Sequence, residues 1–198
     1  MNTIDVLVII SLILFYVLFT GRTILLYKRG VKVWVIGTST KKLFEKVLEN
    51  ILFPVLIVWS IFLILTAVHI KLPNNISNYL FTISWIKYMG ILFCYIGILL
   101  FLLALISFGK AWRIGIDENN SNELITTGIF KYSRNPIFLF MDIYFCGVML
   151  IYPNIVFIVI AICTIIGIHF QIMREEIFLL HKFSKRYREY KKQTRRYL

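Results

Sequence analysis

PIFLFMDIYFCGVMLIYPNIVFIVIAICTIIGIHFQIM, residues 136–173, contains one acid, one histidine and no Lys or Arg. It falls into two apolar runs parted at Tyr152-Pro153-Asn154. Neither run alternates polar with apolar residues, as the strands of a membrane barrel do. Runs approaching about 20 apolar residues read as membrane helices, because a helix satisfies its own backbone where lipid offers no hydrogen bonds. The Tyr-Pro-Asn break predicts an antiparallel hairpin, which returns the residues before Pro136 and after Met173 to one membrane face.

The rest of the chain agrees in kind. Of its 198 residues, 59% are apolar, against about 45–50% in soluble domains. Five spans are expected, at 4–20, 51–70, 79–108, 136–151 and 154–173. The expectation is an all-α integral membrane protein of about five transmembrane helices. It carries a C-terminal helical hairpin and an amphipathic cytoplasmic C-terminal helix. The whole chain reads as one membrane domain, with three spans and their connectors in 1–108 and the hairpin and tail in 109–198. The first span has no basic stretch before it and no small-residue cleavage site, so it reads as a retained helix. LFEKVLEN, 43–50, reads as a short amphipathic helix leading into the second span, with Pro54 placed early enough in that span to be tolerated.

Charge orients the chain. Residues 22–49 hold seven Lys/Arg, 109–135 hold four, and the tail from Arg174 holds nine, leaving Lys71 and Lys87 on the other side. The positive-inside rule then puts the N-terminus outside and the C-terminus in the cytoplasm. The membrane would be the cell membrane in a bacterium or the endoplasmic reticulum in a eukaryote. The net charge of +12 is thus explained by topology and anionic lipid, and no nucleic-acid partner is expected. Cys94, Cys146 and Cys163 lie within spans and read as small apolar side chains. His69 belongs to one face, while His169 and His181 lie about 18 Å apart along a helix, so no metal site is expected. No phosphate loop or dinucleotide fingerprint occurs. Gly90, Gly97 and Ala104 form a stripe suited to close helix packing.

Chemistry gathers at the hairpin's two polar ends. LITTGIFKYSRNPIF, 124–138, runs into the fourth span. Pro136 suits a first helical turn, and Asn135 before it reads as the cap. Arg134 offers a permanently charged planar fork for carboxylate or phosphate, or else an anchor to lipid headgroups. At the other end, Arg174-Glu175-Glu176 puts two acids where both the helix dipole and the charge bias oppose them. Beyond, Leu180, Phe183, Tyr187 and Tyr190 recur at helical spacing and predict a roof over the hairpin's ends. Asp142, about 9 Å below Pro136, is an intramembrane acid, either a substrate contact or the partner of a snorkelling base. An Arg fork, two acids, helix-start N–H groups and aromatic walls suit S-adenosyl-L-methionine, though not it alone.

In order and spacing these residues resemble the isoprenylcysteine carboxyl methyltransferase and phospholipid methyltransferase superfamily of integral membrane enzymes. Leu124, Ile125, Gly128, Phe130, Arg134, Asn135 and Pro136 fit its first motif, and Glu175, Glu176, Leu179, Phe183, Tyr187 and Tyr190 fit its second. The resemblance covers about the last 75 residues. Asn135 stands where one branch has His, Phe138 for Tyr, Phe140 where Gly is frequent, and Ser184 for Gly after Phe183. The resemblance implies S-adenosylmethionine-dependent methyl transfer to a lipophilic small molecule from the bilayer, with a carboxyl or amine acceptor. It implies cofactor contacts at Leu124, Ile125, Gly128, Tyr132, Arg134, Asn135, Pro136, Phe138, Glu175, Glu176, Tyr187 and Tyr190. Catalytic roles would fall to Arg134, Arg174 and Glu175, with Asp142 on the substrate side. The competing readings are a membrane reductase of the sterol-reductase type using NADPH, which would need more spans, and a non-catalytic relative. Oligomeric state is left open.

Overall fold

The apolar runs fold as helices where their patterns place them. A computed structural model describes residues 1–31, 43–109 and 124–197. The chain forms α1 (Thr3–Lys28), α2 (Leu43–Ala67), the short α3 (Asn74–Ser77), α4 (Ser84–Phe108), α5 (Pro136–Ile151) and α6 (Ile155–Gln193). Helices α1, α4 and α6 are long and apolar enough to cross a membrane, while Pro54–Ala67 and α5 are shorter apolar helices. This is an all-α membrane fold. Val17, Val58, Ile106 and Ile166 lie exposed along these helices, as surfaces solvated by lipid require.

Two boundaries differ from expectation, and the expected long C-terminal helix carries an unexpected break. The segment 43–50 and the second span are one helix, so Pro54 lies in its interior and not in a first turn. The third span starts at Ser84 because Tyr79 and Leu80 are extended against the hairpin turn. Tyr79 bridges Asn154, and the Leu80 N–H donates to the Pro153 carbonyl at 2.8 Å. The last span continues as helix to Gln193, with a break at Ser184.

The small-residue stripe on α4 meets α5. A Cβ built on Gly90 would stand 2.6 Å from the Gly147 carbonyl oxygen, and one on Gly147 2.7 Å from that of Gly90. At Gly97 the place of a side chain is taken by Phe140, whose ring packs 4.7 Å from Phe101 and 5.6 Å from Phe15. Thus Phe140 fills the room that Gly97 leaves. Helix α1 joins through Ser11 and Tyr144, whose hydroxyls lie 3.0 Å apart, and through Tyr95, which donates to the Leu7 carbonyl at 3.1 Å. Helix α2 packs Trp59 on Phe145 and Phe62 on Phe157.

Each end of the bundle is laced. At the turn end, the buried Asp5 carboxylate accepts from Tyr152 at 2.8 Å and lies 2.9 Å from His69 Nε2, tying α1 and α2 to the hairpin turn. Asn154 caps α6 by accepting from the Phe157 N–H. At the other end, Arg22 reaches the Gly109 carbonyl, and the Ser107 hydroxyl accepts from the Ile129 N–H at 3.2 Å. That bond seats a 3-10 turn, Gly128–Lys131, against the end of α4. Gly128 has φ +62 there, with Ser107 standing where a side chain would be; only glycine satisfies both demands.

Replacing Gly147 by Leu forces α4 and α5 apart and is expected to cost about 1–3 kcal/mol or more. Gly167→Leu, at a position with nothing within 4 Å, is expected to change little. Thermal unfolding of both variants in one detergent compares them.

Candidate functional site

The residues after the 3-10 turn meet the C-terminal tail. Phe130 is buried, and its carbonyl accepts from the Tyr190 hydroxyl at 2.6 Å. Ser133 pairs with Arg195 as a parallel bridge, and the Arg134 N–H donates to the Arg195 carbonyl at 3.0 Å. The Arg196 carbonyl accepts from Asn135 Nδ2 at 3.1 Å and from the Ser133 hydroxyl at 3.4 Å. Asn135 does occupy the cap position of α5, but its side chain makes no capping bond; its Nδ2 donates to the tail instead.

Helix α6 delivers the other wall. Its buried face runs through Ile168 and Ile172 to Glu176. At Ser184 the backbone adopts φ 42, ψ −107, close to the first central position of a type II′ turn, where glycine is favoured. The break redirects the rest of the helix, so Tyr187 and Tyr190 are buried and residues 194–197 fold back over the start of α5. The glycine frequent in the resembling family meets a backbone demand here, which this chain meets with Ser.

Glu176 is the hub. It is 6% exposed, and Arg196 grips both its oxygens, Nε to Oε1 at 3.1 Å and Nη2 to Oε2 at 3.0 Å. Arg134 Nη2 lies 2.9 Å from Oε1, and the half-exposed Lys191 ammonium 3.7 Å from Oε2. Burial alone would raise the carboxyl's pKa. The Arg196 hydrogen bonds and the charges of Arg134, Arg196 and Lys191 outweigh it and hold the group below the usual carboxylate range. Arg134 is itself 6% exposed, yet among the described residues its Nε and Nη1 have no hydrogen-bond partner. The Tyr187 hydroxyl is likewise buried without one. Burial and the Glu176 charge push that phenol up to about 12, so at neutral pH it is a neutral donor.

The hairpin therefore brings Arg134, Asn135, Pro136, Glu176, Tyr187 and Tyr190 together, as its topology requires. Gly128 shapes the turn that carries them. Leu124, Ile125 and Phe138 lie partly buried around it, and Tyr132 lies 65% exposed beside it. Of the two acids, Glu176 is the one at Arg134, while Glu175 accepts from Gln171 at 3.2 Å. Arg174 is partly buried on the same helix and has an interaction of its own. One oxygen of Asp142 is buried with no hydrogen-bond partner among the described residues. Its charge acts on Tyr197, whose hydroxyl lies 3.0 Å from His169 Nδ1 and whose phenol is raised first by burial and then by Asp142. Sequence reasoning missed Ser133, Arg196 and Tyr197. The available signal was Arg195-Arg196 closing a basic tail, which reads as surface charge until something buried is seen to need it.

The polar ends of the hairpin thus close over a buried guanidinium. The family model for phospholipid methyltransferase matches residues 85–186, just over half of the 198-residue chain, and the chain belongs to that family. It is thereby one of the integral membrane methyltransferases. A comparison with curated proteins returned no match. The family match begins in α4 and ends before Tyr187 and the tail.

Because the folded Glu176 pKa is depressed, its stabilisation is present above the unfolded value of 4.5 and is lost as pH falls through the folded one. Glu176→Gln is expected to be less stable than the parent at pH 7, with the difference narrowing as pH falls below about 4.5. Unfolding midpoints in detergent across that range test this. Ser184→Gly is expected to raise stability by about 1 kcal/mol by relieving the positive φ, read in the same assay.

Proposed function

We propose that this chain transfers the methyl group of S-adenosylmethionine to a lipophilic acceptor reached from the bilayer, at a site facing the cytoplasm. Arg134 carries the reading. It is a buried guanidinium within the motif, with two donors unpartnered among the described residues. Leaving buried donors unsatisfied costs about 1–3 kcal/mol, more for a charged group, and a carboxylate matches the fork. An amino-acid carboxylate such as the cofactor carries matches those two nitrogens in charge and in hydrogen-bonding capacity. The cytoplasmic orientation is supported by 20 of the 22 Lys/Arg falling on the site side of the predicted spans.

When bound, the cofactor supplies an electrophilic sulfonium methyl. Arg134 would hold its carboxylate end, with Tyr187 as a neutral donor beside it. Phe130, Tyr187 and Tyr190 exclude water, which matters because positive charge disperses as the methyl moves and alignment limits the rate. Arg174 and Glu175 are assigned to the acceptor side, where Arg174 would orient a carboxylate acceptor. A carboxylate acceptor needs no base. An ammonium acceptor must first lose a proton, and the unpartnered oxygen of Asp142 is the intramembrane group suited to receive it.

Membranes containing the protein, given methyl-labelled S-adenosylmethionine, are expected to yield labelled lipid. Alkali-labile label identifies an ester, and stable label an amine or ether. Calorimetry is expected to show S-adenosylhomocysteine binding that Arg134→Ala weakens about 10- to 100-fold, the scale of a lost charge-assisted hydrogen bond. Binding of NADPH without S-adenosylhomocysteine would overturn the reading.

A further inference from the structure

The tail segment 194–197 lies outside the family match at 85–186, yet it reaches the centre of the site. Four bonds to residues 131–135 hold it there, besides the Tyr197–His169 contact and the grip on Glu176. Thr194 donates to the Lys131 carbonyl at 3.3 Å, the Arg134 N–H donates to the Arg195 carbonyl at 3.0 Å, and Asn135 and Ser133 both donate to the Arg196 carbonyl. A loose basic tail needs none of these. They set the Arg196 guanidinium in one place.

We propose, building on the cofactor reading above, that Arg196 is a positioning residue. It takes over Glu176 so that Arg134 stays free for the ligand's carboxylate.

The bonding pattern carries the inference. Arg196 makes the two-armed contact with Glu176, while Arg134 spends one nitrogen on it, Nη2 at 2.9 Å, and among the described residues keeps Nε and Nη1 unspent. Guanidinium and carboxylate favour the two-armed arrangement. Without Arg196, Glu176 has its second oxygen open, and Arg134 is the buried cation beside it. Arg134 would then turn both arms to Glu176 and have none for a ligand. Charge points the same way. Arg134, Arg196 and Glu176 together carry one net positive charge, which favours an anionic group, whereas Arg134 and Glu176 alone carry none. Lys191 also faces Glu176 but is half exposed and 3.7 Å away, so solvent screens it. Arg196 is then dispensable wherever Glu176 carries no charge, which a tail acting only as a clamp does not require.

The full chain, purified in detergent, is titrated calorimetrically with S-adenosylhomocysteine. Arg196→Ala is expected to weaken binding at least about tenfold, with Arg196→Lys between it and the parent. In a Glu176→Gln background, Arg196→Ala is expected to change affinity by less than about threefold, because Arg134 is released by other means. Calorimetry separates this from a folding defect, which lowers the binding stoichiometry, whereas the proposed effect raises Kd at unchanged stoichiometry. Equal losses in both backgrounds would overturn the inference and leave the tail a clamp. Unchanged or tighter binding by Arg196→Ala would also overturn it, tighter binding marking Arg196 as a competitor for the site. A parent chain that binds no S-adenosylhomocysteine overturns the cofactor reading and this inference with it. A binding parent with an unaffected Arg196→Ala overturns this inference alone.

Discussion

One buried carboxylate organises the polar end of this protein. Glu176 sits on the inner face of a long apolar helix, 6% exposed, where an ion without partners is not tolerated. Two guanidiniums from opposite sides of the sequence neutralise it, Arg134 from the start of α5 and Arg196 from the tail. Removing one partner from such a buried group typically costs about 3–5 kcal/mol, because the remaining charge stays uncompensated. The pairing thus specifies a geometry more than it adds stability. It fixes which residues of the tail lie against which residues of the turn, and the backbone bridge from Ser133 to Arg195 follows from it.

That geometry is reproducible only because the hairpin beneath it cannot slide. Gly90 and Gly147 bring the backbones of α4 and α5 into contact, and a register shift would drive Cys94 or Ile151 into a carbonyl. The turn end is pinned by Asp5, Tyr152 and His69, and α6 starts with Asn154 as its cap. With both ends fixed, the start of α5 and the Glu176 level of α6 arrive side by side. The site is a consequence of helix register before it is a consequence of its own contacts.

Much of this was legible in the residues. Apolar runs without alternation announce helices, and Tyr152-Pro153-Asn154 announces their return, so the meeting of Arg134 with the paired acids needs no more than topology. What escaped was non-local or conformational. Nothing periodic marks Thr194–Tyr197, and a single bridge to Ser133 leaves no pattern in either segment. Asn135 carries the right side chain for a cap, but the Arg196 carbonyl claims it. Phe140 and Ser184 read as departures from the family's pattern. Phe140 fills the space opposite Gly97, which is visible only once α4 is known to face α5. Ser184 bears a positive φ, a property of the backbone that a side-chain reading does not reach.

The lengths of the hairpin's two arms have a further consequence. Helix α5 has 16 residues and rises about 24 Å, less than a hydrocarbon thickness of about 30 Å. Arg134 lies two residues beyond that arm, and along α6 the 22 residues from Ile155 to Glu176 rise about 33 Å. With the acyl region starting at Tyr152–Asn154, the pair stands near its far edge, where acyl chains give way to headgroups. Its distance from water is then set by membrane thickness, so bilayers of longer or shorter chains expose the same polar site to different solvents.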